Sequence, residues 1–425
     1  MGPEGQLSDC QRCVGLASAW TAFLYSYTVR FVWSVMMEGA GDELGLTMAQ
    51  AGAMMSAFYA GYVLAQIPSG IVADRMNSRL LLVSAIFLSS LCTLANGAMR
   101  TFGSGLAWRF LSGLSAGAIY PSSLKVISSS FGREQRATAV GIFMTAVSAG
   151  MMISNGLVPG VVARLGWRSG FVVTGWAGLA AAGVLLVIGW PAISAWPASE
   201  AKRSTGNYAS PSTQRVGPRP LRVMLNRNMV LLCLAGFFGM WGTTGSIPWL
   251  FSSLTRGRGI SAANAGIMLM VFSAASALGG PAAGCISDRV LRSRKPAIAL
   301  GLWIFAALLT AMALLPGTGV TLWVVSAALG FFVLFPDTPR NTMVSETVGP
   351  ELGGTAIGIA NTLWQGGLII SPLVAGKILD ATGGSFRPAL LSLSATVSVG
   401  AVCAVLLTEV RLRPADAAHG ESVQG

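Results

Sequence analysis

The chain is 425 residues long, 53% of them hydrophobic and only 10% charged, with a mean hydropathy of +0.64. That balance excludes a soluble globular domain and reads as a polytopic membrane protein. The formal net charge of +12 raises the question of nucleic acid, but the basic residues are spread over the short segments between apolar runs, which excludes it as a partner.

A membrane-spanning helix needs roughly 20 predominantly apolar residues. Twelve such segments are predicted, over 14–37, 47–72, 79–99, 104–130, 137–161, 167–191, 228–252, 262–287, 296–315, 319–345, 354–379 and 388–410. They are continuously apolar, whereas barrel strands alternate over about ten residues, so the expected class is all-α. The expected organisation is an N-terminal six-helix bundle over 1–191, a Ser, Pro and Arg-rich linker over 192–227, a C-terminal six-helix bundle over 228–410 and a tail over 411–425. The basic residues favour the side that holds both termini, the linker, Arg75, Arg79, Arg133, Arg136, Arg289 and Lys295, which makes that side cytoplasmic. The location expected is the cell membrane, the inner one in a Gram-negative cell.

Span one carries Tyr27 and, deep in the apolar run, Arg30. The loop after it holds Glu38, Asp42 and Glu43 without a basic residue. Span four reads Arg109-Phe-Leu-Ser-Gly113-Leu-Ser-Ala-Gly117-Ala-Ile-Tyr120-Pro121, a spacing that puts Arg109, Gly113, Gly117 and Tyr120 on one helical face. An arginine in hydrocarbon costs roughly 2.5–3.5 kcal/mol on insertion scales and therefore faces a partner or a water-filled cavity. No acidic residue lies in the membrane parts of spans one to six. Two uncompensated guanidiniums make a site that prefers an anion, with bidentate recognition of carboxylate or phosphate as the chemistry. The alternative is that backbone carbonyls satisfy them and they serve packing. In span ten, Asp337 and Arg340 lie three residues apart and form either an internal ion pair or a coupling site in which Asp337 titrates.

The six cysteines are scattered and the single histidine, His419, lies in the tail, so neither a metal cluster nor a histidine relay is expected. No nucleophile with a base and no phosphate-binding loop is present, which excludes an enzyme and leaves no cofactor to expect. The opening residues lack the basic stretch and cleavage site of a secretion signal.

One stretch occurs twice. Leu46 to Arg75 and Ile260 to Arg289 align without a gap at an offset of 214 residues, sharing among others Phe58 with Phe272, Gly70 with Gly284 and Asp74-Arg75 with Asp288-Arg289. A second echo, at 217, pairs Glu134, Gly141 and Gly150 with Glu351, Gly358 and Gly367. Two like halves rocking about a shared midplane site are the physical basis of alternating access.

The turn Gly70-Ile-Val-Ala-Asp74-Arg75-Met-Asn-Ser-Arg79 resembles the cytoplasmic loop signature of the major facilitator superfamily, and Gly284 to Arg292 resembles its degenerate copy. The resemblance implies two pseudo-symmetric six-helix bundles and a gating role for Gly70, Asp74, Arg75, Arg79, Gly284, Asp288 and Arg289. Glu134 with Arg136 resembles the acidic-basic partner of that gate. Within the superfamily, Tyr27-Thr-Val-Arg30, the span-four segment, Trp249-Leu250 and Gly358-Ile-Ala-Asn361 through Ser371-Pro372 are similar to the anion:cation symporter group, whose members move organic anions such as sugar acids. This resemblance implies Tyr27, Arg30, Arg109, Tyr120, Asn361 and Gln365 as substrate contacts. Proton-coupled members commonly carry an aspartate before the span-one arginine and a glutamate in span four; here those positions are Val29 and Ala116. The organophosphate antiporter group adds a span-two lysine and a span-seven arginine, where this chain has Gln66 and Thr243. The function expected is alternating-access transport of a small organic anion by a monomer, with a proton or sodium as possible coupling ion. The competing readings are an organophosphate exchanger, a drug or metabolite exporter, and a transporter-like sensor.

Overall fold

The computed structural model describes residues 9–194, 226–315, 319–348 and 353–408. The linker from 195 to 225 and the tail from 409 lie outside the described residues, as do the side chains of Asp74, Arg75 and Glu134 on which part of the expected gate rests. Within the described residues the chain forms helices and no strand. They are α1 (Asp9–Leu44), α2 (Met48–Arg75), α3 (Ser78–Gly97), α4 (Phe102–Gly117), α5 (Ile119–Ser130), α6 (Arg133–Met152), α7 (Val158–Leu165) and α8 (Trp167–Ser194). After the linker come α9 (Arg227–Thr255), α10 (Ala262–Cys285), α11 (Arg294–Leu314), α12 (Val320–Leu334), α13 (Asp337–Val348), α14 (Gly353–Ala381) and α15 (Phe386–Val405).

Among the described residues, fifteen α-helices make twelve spans because three spans are interrupted. The fourth breaks between α4 and α5 at Ala118, the tenth between α12 and α13 at Phe335-Pro336, and the fifth joins α6 to α7 through a π turn over Ile153–Leu157. Short polar caps start several helices. Thr47 accepts from Gln50 N while Gln50 reaches back to Thr47 N, Thr101 does the same with Ser104, and Asn77 accepts from Arg79 N. Gly166, at φ 80°, ends α7 in a conformation that only glycine adopts without strain.

Among the described residues, nine helical stretches are long and apolar enough to cross a membrane by themselves. The remaining three spans, α1, α2 and α4 with α5, fall short of that composition. They are the spans that carry Arg30, Gln66 and Arg109, so the loss of hydropathy and the polar site have one cause.

The repeat in sequence is also a repeat in packing. A Cβ added at Gly113 of α4 would lie 1.9 Å from Phe58 O of α2, and one added at Gly330 of α12 would lie 2.1 Å from Phe272 O of α10. Helix backbones meet directly at both places, as small residues allow in lipid where no hydrophobic force draws helices together. The face that bears Glu38 and Asp380 holds the two halves shut. Both carboxylate oxygens of Asp380, at the end of α14, accept from the first amides of α2, Met48 N and Ala49 N, each at 2.8 Å. Arg256 pairs with Asp42 at 2.7 Å and donates to Glu38 O, and Thr255 donates to the Glu38 carboxylate. Deeper in, Ser148 meets Ser276 at 3.1 Å. On the basic face, two arginines are bonded within their own halves. Arg294 bridges Asp288 and Glu346, and Arg136 donates to Ser128 O. No described atom lies within 4 Å of a Cβ added at Gly70, so a side chain there would meet open space in this conformation.

Gly113→Ala and Gly330→Ala are each expected to destabilise the protein by about 1–3 kcal/mol through overpacking, lowering the melting temperature in detergent, whereas Gly70→Ala leaves it near wild type. Glu43 supplies a second test. Its carboxyl is held below the ordinary value of 4.5 by the hydrogen bond from Arg168 and then by that from Trp167. A lowered folded-state value means that this clasp contributes fully above about pH 4.5 and fades as pH falls through the folded value. The melting temperature of the wild type is therefore expected to drop more steeply on acidification than that of Glu43→Gln.

Candidate functional site

The site is built on one turn of α1. Arg30 is 5% exposed, and its guanidinium carbon lies 4.3 Å from the ring centroid of Tyr27, 4.3 Å from that of Tyr62 and 5.7 Å from that of Tyr59. Three aromatic faces thus surround the cation, each contributing roughly 0.5–2 kcal/mol. Ring faces do not satisfy N–H groups, and Nε and Nη2 of Arg30 have no hydrogen-bond acceptor among the described residues. A buried cation with donors left over, and no carboxylate among its contacts, is arranged to receive an anion with oxygen acceptors.

Close backbone packing fixes the box. A Cβ at Gly150 of α6 would stand 2.6 Å from Leu24 O and 2.8 Å from the Tyr27 Cβ, and one at Gly117 of α4 would stand 2.4 Å from Tyr62 O. The glycines let α6 press on α1 at Tyr27 and α4 press on α2 at Tyr62. Tyr120 joins at one remove, through Phe23, whose ring stacks on Phe143 at 4.5 Å, lies 5.5 Å from Tyr120 and meets Tyr27 edge-on at 5.0 Å.

Arg109 occupies a different environment. It is fully buried, donating from Nη1 to Val29 O at 3.2 Å and from Nη2 to Arg30 O at 3.5 Å, with its guanidinium carbon 4.6 Å from the Phe58 ring centroid. Of the two readings open to it, carbonyl bonding is the one this conformation displays. The carbonyls it grips belong to the very turn that carries Arg30.

The second half contributes amides and a buried pair. Gln365 Nε2 donates to Gln66 Oε1 at 2.6 Å across the halves, while Gln365 Oε1 is buried without a partner among the described residues. Asn361, one turn earlier on α14, is half-buried. Arg340 is fully buried, donates to Asp337 at 2.7 Å and lies 4.3 Å from the Trp364 ring centroid. Of the expected gate, Arg79 is buried and lines a small gap with Val14, Gly15 and Ser18 of α1, Asp288 pairs with Arg294, and Arg289 is exposed.

The fold therefore brings Tyr27 and Arg30 into one box, sets Tyr120 beside it and hands Gln365 to Gln66. Sequence reasoning missed Tyr59 and Gln66 as members of this site. The available signal was helical spacing, since Tyr59, Tyr62 and Gln66 follow one another at intervals of three and four along α2.

A family model described as Major Facilitator Superfamily matches residues 19–257 and 232–423. A probable galactarate/D-glucarate transporter of Bacillus subtilis is 28% identical over 408 residues, which cover 90% of this chain and 88% of that protein. A D-galactonate transporter of Escherichia coli is 27% identical over 388 residues, 86% and 88% of the two chains, and a probable sulfoacetate transporter of Cupriavidus necator is 25% identical over 402 residues, 91% of each. Among solved structures, a bacterial homologue of the human lysosomal transporter Spinster, in an inward-facing and occupied conformation, matches with a TM-score of 0.75 at 18% identity over 94% of this chain and 97% of that one.

The two arginines are expected to respond oppositely to removal. Arg30→Met relieves a buried charge with unmet donors and is expected to stabilise the ligand-free protein by about 1–3 kcal/mol. Arg109→Met strips the donors from two buried carbonyls and is expected to destabilise it by a similar amount. Thermal melts of the two purified variants beside wild type measure both.

Proposed function

This chain belongs to the major facilitator superfamily, and we propose that it carries a small organic anion, a carboxylate or sugar acid, across the cell membrane by alternating access, with Arg30 as the counter-charge of the cargo. The observation that carries this reading is the aromatic box, which holds a guanidinium with free donors and supplies no anion of its own. A carboxylate docked there converts an unmet cation into a charge-assisted pair. The phenol hydroxyls of Tyr27, Tyr59 and Tyr62 and the amides of Gln66, Gln365 and Asn361 are neutral hydrogen-bonding groups suited to the hydroxyls of a sugar acid. The named cargoes of the relatives, galactarate, D-glucarate, D-galactonate and sulfoacetate, are organic anions.

The charge bias of the loops supports a cytoplasmic basic face, with the face closed by Asp380 and Arg256 outward. On that assignment this conformation is closed on the outer face. The rest of the cycle separates the α2 amides from Asp380 and Arg256 from Asp42, and brings the inner charged turns together in their place. An organophosphate reading has less support. Gln66, at the span-two lysine position, is spent on Gln365, and Thr243, at the span-seven arginine position, donates to Gly239 O at 3.1 Å.

Purified protein is expected to gain thermal stability from sugar acids or other small carboxylates at millimolar concentration, about 2.7 kcal/mol at one hundred times the dissociation constant. Arg30→Ala is expected to lose that response by at least tenfold in affinity. Stabilisation by cationic compounds, or by an anion equally in both proteins, sinks the reading.

A further inference from the structure

Of the 16 Asp and Glu residues, Asp337 is the only one that lies inside a predicted span by more than a helical turn. The others lie at helix ends, in loops or in the linker and termini. Asp337 opens α13, where the tenth span is broken at Phe335-Pro336. Pro336 has no amide hydrogen and disfavours helix at the residue before it. The interruption belongs to the repeat, because Pro121 and Pro336, like Lys125 and Arg340, are 215 residues apart. A helix that starts inside the membrane presents free amides and the positive end of its dipole to its first residue, so a carboxylate there tolerates burial.

Asp337 and Arg340 divide the labour between reach and anchorage. The Arg340 side chain is 0% exposed, the Asp337 side chain 24%. Arg340 is seated against Gly239 of α9 and the ring of Trp364, whose Nε1 is itself tied to Leu232 O at 3.2 Å. Its Nη2 donates to Asp337, while Nε and Nη1 have no acceptor among the described residues. Gln365, which follows Trp364, bonds to Gln66 one turn beyond Tyr62 of the box, so the Asp337–Arg340 pair and the anion box flank the same contact between the halves. The carboxylate is thus the partly exposed member of the pair and its counter-ion the enclosed one.

We propose that Asp337 is the coupling carboxylate of this transporter, taking up one proton with each anion, and that Arg340 is the positioning residue that holds it. This rests on the anion-transport reading and adds its driving ion. With Asp337 charged, an anion on Arg30 faces a second negative charge across a low-dielectric gap. A proton on Asp337 removes that repulsion, so proton and anion each favour binding of the other by the same factor. The proton adds to one carboxylate oxygen and leaves from it on the other side, with no bond otherwise made or broken. The described partner of the carboxylate is a guanidinium, not the shell of oxygens that a sodium ion requires. On the elements packed against α13, the other charged or titratable groups among the described residues are Arg227 and Cys233 on α9 with Arg256 just after it, Cys285 on α10, Arg294 and Lys295 on α11, and Lys377 and Asp380 on α14. Asp288 and Arg289 follow α10, and Glu346 ends α13. Among the described residues, Arg340 is the charged group paired with Asp337, at 2.7 Å.

The test uses the full chain in liposomes, with D-galactonate, D-glucarate or galactarate as probe and the membrane potential clamped at zero. Two quantities are read, exchange of labelled for unlabelled anion and accumulation under a gradient of one pH unit. Wild type is expected to exchange and to accumulate about tenfold, the ratio one proton per anion allows at that gradient. Asp337→Asn is expected to go on exchanging with an accumulation ratio of one, and Asp337→Glu to accumulate with a shifted pH midpoint. Tenfold accumulation by Asp337→Asn overturns the proposal, as does exchange by wild type that ignores the pH gradient. Both leave anion transport standing. Absence of exchange and of thermal stabilisation in wild type with all three probes is failure of the transport reading itself. If Asp337→Asn does not exchange, the Asp337→Glu profile decides: a shifted midpoint supports the proposal and an unchanged one overturns it.

Discussion

A guanidinium held inside a bilayer without a counter-ion sets the terms for everything near it. Arg30 is charged at any pH the cell meets, and the first half offers no carboxylate within its membrane spans to neutralise it. The protein manages the charge with ring faces from Tyr27, Tyr59 and Tyr62, which soften the desolvation and leave Nε and Nη2 without an acceptor among the described residues. The surrounding features follow from holding that cation still. Glycines 117 and 150 let neighbouring helices press on the tyrosines, and Arg109 grips the carbonyls of the Arg30 turn from behind. An immobile cation with vacant donors binds an anion without reorganising, which is what a carrier needs of a site that must also let go.

The two kinds of helix contact in this fold differ in what they permit. Within each half, helices meet through glycine against a carbonyl at the level of the backbone, at Gly113 with Phe58 and at Gly330 with Phe272. Such contacts have no slack and make the half move as one body. Between the halves glycine also meets a carbonyl, at Gly52 with Pro372 and at Gly376 with Met48, but these contacts are joined by hydrogen bonds and ion pairs that water can replace: Asp380 on the start of α2, Arg256 on Asp42, Ser148 on Ser276, Gln365 on Gln66. The polar contacts between the halves are the ones that can be exchanged without unpacking either half.

The spans of this chain were legible because hydrophobicity over a window of twenty residues is a local property. The apolar run read over 14–37 lies inside a helix that continues from Asp9 to Leu44, since hydrogen bonding along the backbone does not stop where apolarity does. The breaks in spans four and ten and the π turn in span five were not read. An interruption of the helical ladder persists only where neighbouring groups re-satisfy it, and those neighbours come from distant sequence. The repeat at 214–217 residues announced two like halves, and the matched glycine contacts give that symmetry a physical form.

The site divides in the same way. Sequence alone determined that two arginines sit in the hydrocarbon of the first half, that no acid there neutralises them, and that one aspartate lies deep in the second. Composition and position along a span establish such facts without reference to any neighbour. Which arginine keeps its donors free was decided only by the fold. Arg30 and Arg109 carry the same charge and the same insertion cost, yet one lies among rings and the other on carbonyls. Gln66 and Gln365, 299 residues apart, meet only because α2 and α14 cross between the halves. A side chain's residue type is written in the sequence, but what stands opposite it is set by the packing of helices whose crossing depends on every close contact at once.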